Sequence, residues 1–402
     1  ALLLNQVFGN PHSTNPTSRL SSQLIDEARQ TIINHFKAYD YQLVFTANAS
    51  QALKIIGEGY PFEENGHFLL LFDNHNSVNG IREYSRVKGA AHTYSPVNIE
   101  DLRINEPMLT EYLSAFPDKQ NKLFAMPAQS NVSGVKHDLK WVELAQQQGW
   151  DVLLDAAAYV PSNTLDLSEV QPEFVSMSFY KIFGYPTGLG ALLIKKSVFN
   201  KLHKNWFAGG TVKFVSVSSD NFFLAENYER FEDGTLNYLG IPALTIGFNF
   251  INRIGMEVIN RRVTLLTAWL LEQLLALQHS NGEPLVHVFG PRDTADRGAT
   301  IIFNVFGKDG QPLPYWEVEA AANATNISLR TGCFCNPGID EINNCLSSEE
   351  LAGYFSSHSG GDFADMIVAL GRMRGAIRIS LGLASNFSDV YRFIIFLKRY
   401  LQ

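Results

Sequence analysis

Lys181 follows an apolar run, Phe174 to Phe179, inside "VSMSFYKIFGYPTGLGALL" (175 to 193), and Gly184, Pro186, Gly188 and Gly190 come directly after it. An amine at such a strand end can form an imine with a carbonyl when burial or a neighbouring cation depresses its pKa. A lysine that only opens a solvated loop fits the same residues. Asp155 ends the apolar "DVLLD" and could keep a ring nitrogen protonated, or cap a helix.

Other polar residues stand behind further apolar runs. Ala49 and Ser50 open a helical pattern after "FTANAS" (45 to 50), where backbone N–H groups and a hydroxyl favour an anion. Ser178 and Tyr180 add two more hydroxyls close to Lys181. His75, in "FDNHNS" (72 to 77), can stack on a flat ring and shuttle a proton, and Asn131, in "MPAQSN" (126 to 131), can donate to a ring oxygen. Taken singly, each is an ordinary loop hydrogen-bonder. Taken together they suit pyridoxal phosphate, whose ring needs an imine lysine, an acid at its nitrogen and an anion cup.

A second constellation is "ISLRTGCFCNPG" (327 to 338). Arg330 could grip a carboxylate through two nitrogens, and a cysteine beside a cation favours its thiolate. Cys333 belongs to the strand-like part, whereas Cys335, beside Asn336 and Pro337, suits a loop tip; both also read as small buried hydrophobes. Zinc does not suit their spacing of one intervening residue. Arg378, in the apolar "AIRISLG" (376 to 382), needs a partner there, supplied by a bound amino acid's carboxylate or by a structural ion pair.

These residues must be held by strands. Short apolar runs at Leu43 to Thr46, Phe68 to Phe72, Lys122 to Met126, Val152 to Leu154, Phe174 to Ser178 and Ala191 to Ile194 alternate with helical patterns. That rhythm predicts a mostly parallel sheet covered by helices, with ligands at the carboxyl ends of its strands. A long amphipathic helix, about Ala243 to Leu277 with a break, leads to further strands at Ala299 to Val305, Ile327 to Thr331 and Ile377 to Leu381. The expected division is a large domain over 15 to 255 and a smaller α+β domain made of 256 to 402 together with residues 1 to 14. "SSHSGGDFAD" (356 to 365) reads as a flexible loop.

Composition limits the partners. With 402 residues, 46% hydrophobic and 18% charged, the chain is globular, and a formal charge of −8 with no dense basic block argues against nucleic acid. Three cysteines are too few for a disulfide scaffold and point to a reducing, cytoplasmic setting. No apolar run is long enough for a membrane span, and the first residues lack the basic start of a signal peptide. The abrupt start suggests that an initial segment has been trimmed.

With "GNPHS" (9 to 13), "PAQSNVSGV" (127 to 135), "SFYKIFGYPTGLGALL" (178 to 193), "RFEDGTLNYLG" (230 to 240) and "RTGCFCN" (330 to 336), the chain resembles the class V aminotransferase group of fold-type I pyridoxal-phosphate enzymes. Within it the chain is similar to the cysteine desulfurases, most of all to the amino-terminal domain of the molybdenum cofactor sulfurases. The resemblance implies an α/β fold with a mostly parallel, mixed sheet. It also implies Lys181 as the Schiff-base lysine, Asp155 at the pyridine nitrogen, His75 stacked on the ring, Asn131 at the phenolic oxygen, and Ser50, Ser178 and Tyr180 at the phosphate. Gly234 and Thr235 match a pair that completes the neighbouring subunit's phosphate cup, implying a homodimer. Arg378, with Arg330 near by, would hold the substrate carboxylate, and Cys335 would accept sulfur from cysteine, leaving alanine and passing sulfur to a protein or cofactor. Ala158 and Tyr180 stand where desulfurases usually carry glutamine and histidine, and "GIDEINNC" (338 to 345) is acidic where they carry small residues. An aminotransferase or lyase acting on another amino acid, or a sulfur-carrier subunit with little turnover, are the alternative readings.

Overall fold

Apolar runs without alternation mark strands buried on both faces. Six of them, with one partly exposed edge strand, form the main sheet of the computed structural model, which describes residues 5–361, 363–371 and 373–402. They are β1 (Tyr41–Thr46), β2 (His67–Leu71), β3 (Ala91–Ser95), β4 (Lys122–Pro127), β5 (Asp151–Asp155), β6 (Phe174–Ser178) and β7 (Gly190–Lys195), in the order β1-β7-β6-β5-β4-β2-β3. All neighbours are parallel except β7, which runs antiparallel to both β1 and β6.

Successive side chains point to opposite faces of a strand, so alternate residues feed two cores. Leu43, Phe45, Phe124, Met126, Val175 and Met177 face one side, with Ile25, Ile32 and Phe248. Val44, Leu123, Ala125, Phe174 and Leu192 face the other, with Ala52, Leu53 and Ile56. Three helices follow from these cores: α1 (Pro16–Phe36) and α3 (Pro242–Ile254) cover the first face, and α2 (Ala49–Gly59) covers the second.

The expected break in the long helix falls at Gly255, whose φ of 88° lies where glycine is at ease. Beyond it, α4 (Met256–Ala276) and α5 (Phe387–Leu397) pack Leu270, Leu274, Phe393 and Ile394 on a second sheet. Besides the hairpin β8 (Val212–Val215) and β9 (Phe222–Leu224), the strands are β10 (Val286–Phe289), β11 (Thr300–Val305), β12 (Arg330–Gly332) and β13 (Ala376–Ser380). The second sheet is antiparallel, in the order β10-β11-β13-β12.

Two expectations change. The strand expected from Ile327 is shorter, with only Arg330–Gly332 pairing on β13. The loop read over 356 to 365 is mostly helical at its ends: Ser356 and Ser357 close the helix Ser348–Ser357, and Phe363 to Asp365 open the helix Phe363–Leu370. Asp362 lies outside the described residues.

Candidate active site

The carboxyl ends of β1, β2, β4, β5 and β6 point to one edge of the main sheet, and the candidate residues follow them. A cleft of about 200 Å³ there is lined by Ala49, Ser50, His75, Asn131, Asp155, Ser178, Tyr180 and Lys181, together with Ser77, Gln129 and Ala158. At one end α2 begins. Asn48 caps it by accepting from the Gln51 N–H (3.0 Å), the Ala49 N–H donates to Ser178 Oγ (2.8 Å), and the hydroxyls of Ser50 and Ser77 lie 2.6 Å apart. This junction needs Gly190. A Cβ on it would sit 2.6 Å from the Met177 carbonyl oxygen and 2.7 Å from Asn48 Cα.

Asp155 ends β5 only 9% exposed, and its Oδ1 accepts from the Ala157 N–H (3.1 Å) and from Ser176 Oγ (3.2 Å). It therefore caps a turn and not a helix. His75 accepts from the Ser77 N–H at Nδ1 (3.1 Å), which leaves its ring proton on Nε2. Burial lowers the His75 pKa; Asp155 pulls the other way, and the cations of Lys181 and Arg378 add to the lowering. The ring is thus neutral at neutral pH.

Lys181 departs from its expected setting. Strand β6 ends at Ser178, and Lys181 lies in the one-turn helix Tyr180–Phe183, exposed on the cleft wall instead of desolvated at the strand end. The helical turn is closed by Gly184 at φ 78°.

The cysteine loop meets this edge from the second sheet. Cys333, directly after β12, is half-buried, and burial pushes its thiol pKa up, whereas Cys335 is exposed. Phe334 and Cys335 both take φ 56°, a left-handed pair without glycine. Such a conformation persists only when its surroundings hold it. They do so here: the Asn76 N–H donates to the Cys335 carbonyl (2.7 Å) and Asn131 Nδ2 to the Phe334 carbonyl (2.9 Å). Hence one N–H of Asn131 is committed to the loop.

Arg378 stands directly opposite Arg330 across β13 and β12. Its Nη1 donates to the Asn131 carbonyl (2.8 Å), its guanidinium lies 4.9 Å from the Phe334 ring, and its buried Nε has no hydrogen-bond partner among the described residues. Burial, then the Arg330 charge, lowers its pKa, with Cys335 opposing. Two facing cations and an unpaired buried N–H call for an anion. Gly234 and Thr235 are not in the cleft. Gly234 lines a separate hollow with His12 and Gly210, and exposed Thr235 accepts from Asn10 Nδ2 (3.4 Å). Ser77 and buried Gln129 escaped the sequence reading although both stand in stretches it singled out.

Residues 2–393 match the family described as Aminotransferase class-V. The chain is 37% identical over 98% of its length to the molybdenum cofactor sulfurase of Homo sapiens, covering 47% of that protein. It is 36% identical over 98% of its length to that of Solanum lycopersicum, covering 52%. The chain thus spans about half the length of the curated relatives it matches. An apo cysteine desulfurase from Thermococcus onnurineus NA1 has the same fold, with a TM-score of 0.80, 23% identity, and coverage of 97% of this chain and 87% of that one. Sequence and architecture agree: the chain belongs to the class V aminotransferase family.

Proposed function

We propose that the chain binds pyridoxal phosphate and removes sulfur from L-cysteine, leaving alanine and a persulfide on Cys335. One observation carries this reading: a single cleft gathers an amine, a buried acid, a neutral imidazole and an anion-binding helix start, and a cysteine loop is tied to its rim. The donor set fits the cofactor. The start of α2 with the hydroxyls of Ser50, Ser178 and Tyr180 suits a phosphate, and Asp155 suits a ring nitrogen.

The chemistry such a group supplies is an electron sink for bonds at the α-carbon of an amino acid. The protein does the rest. Lys181 anchors the group by its amine and moves protons at the substrate. Asp155 would keep the ring nitrogen protonated, His75 would pack on the ring and pass a proton through Nε2, and the second N–H of Asn131 would donate to the ring oxygen. Arg378 Nε, with Arg330, takes the substrate carboxylate, and the exposed Cys335 thiolate takes the sulfur. A homodimer, in which Gly234 and Thr235 reach the partner's phosphate, a protein or cofactor as sulfur acceptor, a cytoplasmic setting and the division near Gly255 belong to the same proposal. The relatives named molybdenum cofactor sulfurase favour sulfur transfer over transamination.

The test is alanine release from cysteine by the purified protein supplied with pyridoxal phosphate. Alanine is expected, lost in Lys181→Ala together with the visible absorbance of the bound cofactor. Absorbance without alanine from cysteine would transfer the site to another amino acid.

A further inference from the structure

Asp73 is the buried acid beside the cleft that this chemistry leaves without a task. It lies in the loop after β2 and is 0% exposed. Its Oδ1 accepts from Ser130 Oγ (2.8 Å) and Asn336 Nδ2 (2.7 Å), and its Oδ2 pairs with His137 Nε2 (3.2 Å). A buried carboxylate is costly unless its lone pairs are met, and here the partners come from distant parts of the chain.

Asn336 directly follows Cys335 and is also 0% exposed. The same amide nitrogen reaches Asn131 Oδ1 (3.1 Å), while its Oδ1 accepts from the Ile339 N–H (3.3 Å) and caps the helix Pro337–Asn343. On that helix Gly338 lies so close to β2's end that a Cβ would collide with the Phe72 carbonyl. The loop is therefore docked through its side chains and its carbonyls, the latter held by Asn76 and Asn131.

We propose that Asp73 is a positioning residue: through Asn336 it clamps the Cys335 loop onto the His75 and Asn131 segments, so that the thiol's approach to the cleft is set before substrate arrives. The use of the clamp rests on Cys335 being the sulfur acceptor; the clamp itself does not. An amide donating to a buried carboxylate is among the stronger hydrogen bonds, so its loss frees the loop.

Three variants test this in the whole chain. Asn336→Asp keeps the capping acceptor but sets two carboxylates against each other. Asn336→Ser keeps a capping hydroxyl without the reach to Asp73, and serves if the first variant folds poorly. Asp73→Asn combined with Asn336→Asp restores an amide facing a carboxylate in the reverse sense. The readout is hydrogen exchange of the Asn76 N–H, with and without pyridoxal phosphate, beside cofactor absorbance and the rate of persulfide formation on Cys335. Exchange should quicken about tenfold or more in both single variants and slow again in the double variant. Cofactor absorbance should stay unchanged while persulfide forms more slowly. Unaltered Asn76 exchange in the single variants overturns the clamp, and loosened exchange with wild-type persulfide formation overturns its positioning role. A wild-type chain that forms no persulfide refutes the proposed activity instead, and the exchange comparison still decides the clamp.

Discussion

Replacing Gly190 by alanine should weaken cofactor binding without touching any residue that binds it. Gly190 starts β7, paired with Thr46 of β1 and Ser178 of β6, so neither flank can yield easily. The new methyl would meet the Met177 carbonyl oxygen at 2.6 Å and Asn48 Cα at 2.7 Å, well inside the roughly 3.5–4.0 Å at which carbon atoms attract. Overpacking of this kind costs about 1–3 kcal/mol. The least constrained response is for the start of α2 to move away, which stretches the 2.8 Å bond from the Ala49 N–H to Ser178 Oγ and carries Ser50 with it. If the cost falls on the anion cup, affinity for pyridoxal phosphate drops about tenfold to a hundredfold, since about 1.4 kcal/mol is a factor of ten. Absorbance titration with the cofactor measures this, and guanidinium unfolding of the cofactor-free protein measures the stability loss. Gly188→Ala is the control: no heavy atom of the described residues lies within 4 Å of its Cβ, and at φ +75° only a backbone penalty of about 1–2 kcal/mol applies. Wild-type affinity and unfolding midpoint in Gly190→Ala would refute the reasoning.

Other outcomes follow from buried charge and thiol exposure. Arg29 donates through both terminal nitrogens to Glu232, whose Oε1 also accepts from the Phe45 N–H at 2.7 Å. Glu232→Ala strands that cation and should cost about 3–5 kcal/mol in urea unfolding; a loss below about 1 kcal/mol would contradict the pairing. Burial, chiefly, lowers the pKa of His67 to about 4, so between pH 6.5 and about 4 the unfolded chain binds a proton that the folded chain refuses. Stability is therefore fully present above pH 6.5 and falls as pH drops through that window, by an amount on the order of 2–3 kcal/mol. His67→Phe should flatten this slope in unfolding measured across pH, and an unchanged slope would remove His67 as its source. Iodoacetamide should modify exposed Cys335 before half-buried Cys333, whose thiol is pushed up by burial; equal rates by peptide mass spectrometry would contradict the loop geometry.

The main sheet was legible because its strands are apolar on both faces, as in β4 and β6, where every residue is buried. Strands with exposed polar positions were not. In β3, "AHTYS" has two exposed and two half-buried residues, and β10, "VHVF", is short with His287 exposed, so neither forms a continuous apolar run. The cleft was legible for one reason: a polar residue after an apolar strand sits at the sheet's carboxyl edge, which recovers Asp155, Ser178, His75 and Asn131. What local reading misses is partnership at a distance. Asn336 finds Asp73 across 263 residues, and Asn131 finds Phe334 across 203, so the docked state of the cysteine loop leaves no local pattern. Lys181 was read as following the strand Phe174 to Ser178, and it does; the single helical turn Tyr180–Phe183 that carries it is too short to show a 3.6-residue period.

The most direct test of the account is peptide mass spectrometry after a single turnover with L-cysteine and pyridoxal phosphate, looking for one added sulfur atom. That sulfur is expected on Cys335, equal in amount to the alanine released and absent in Lys181→Ala. Alanine formed at the wild-type rate in Cys335→Ser, with no sulfur retained on the wild-type chain, would contradict it.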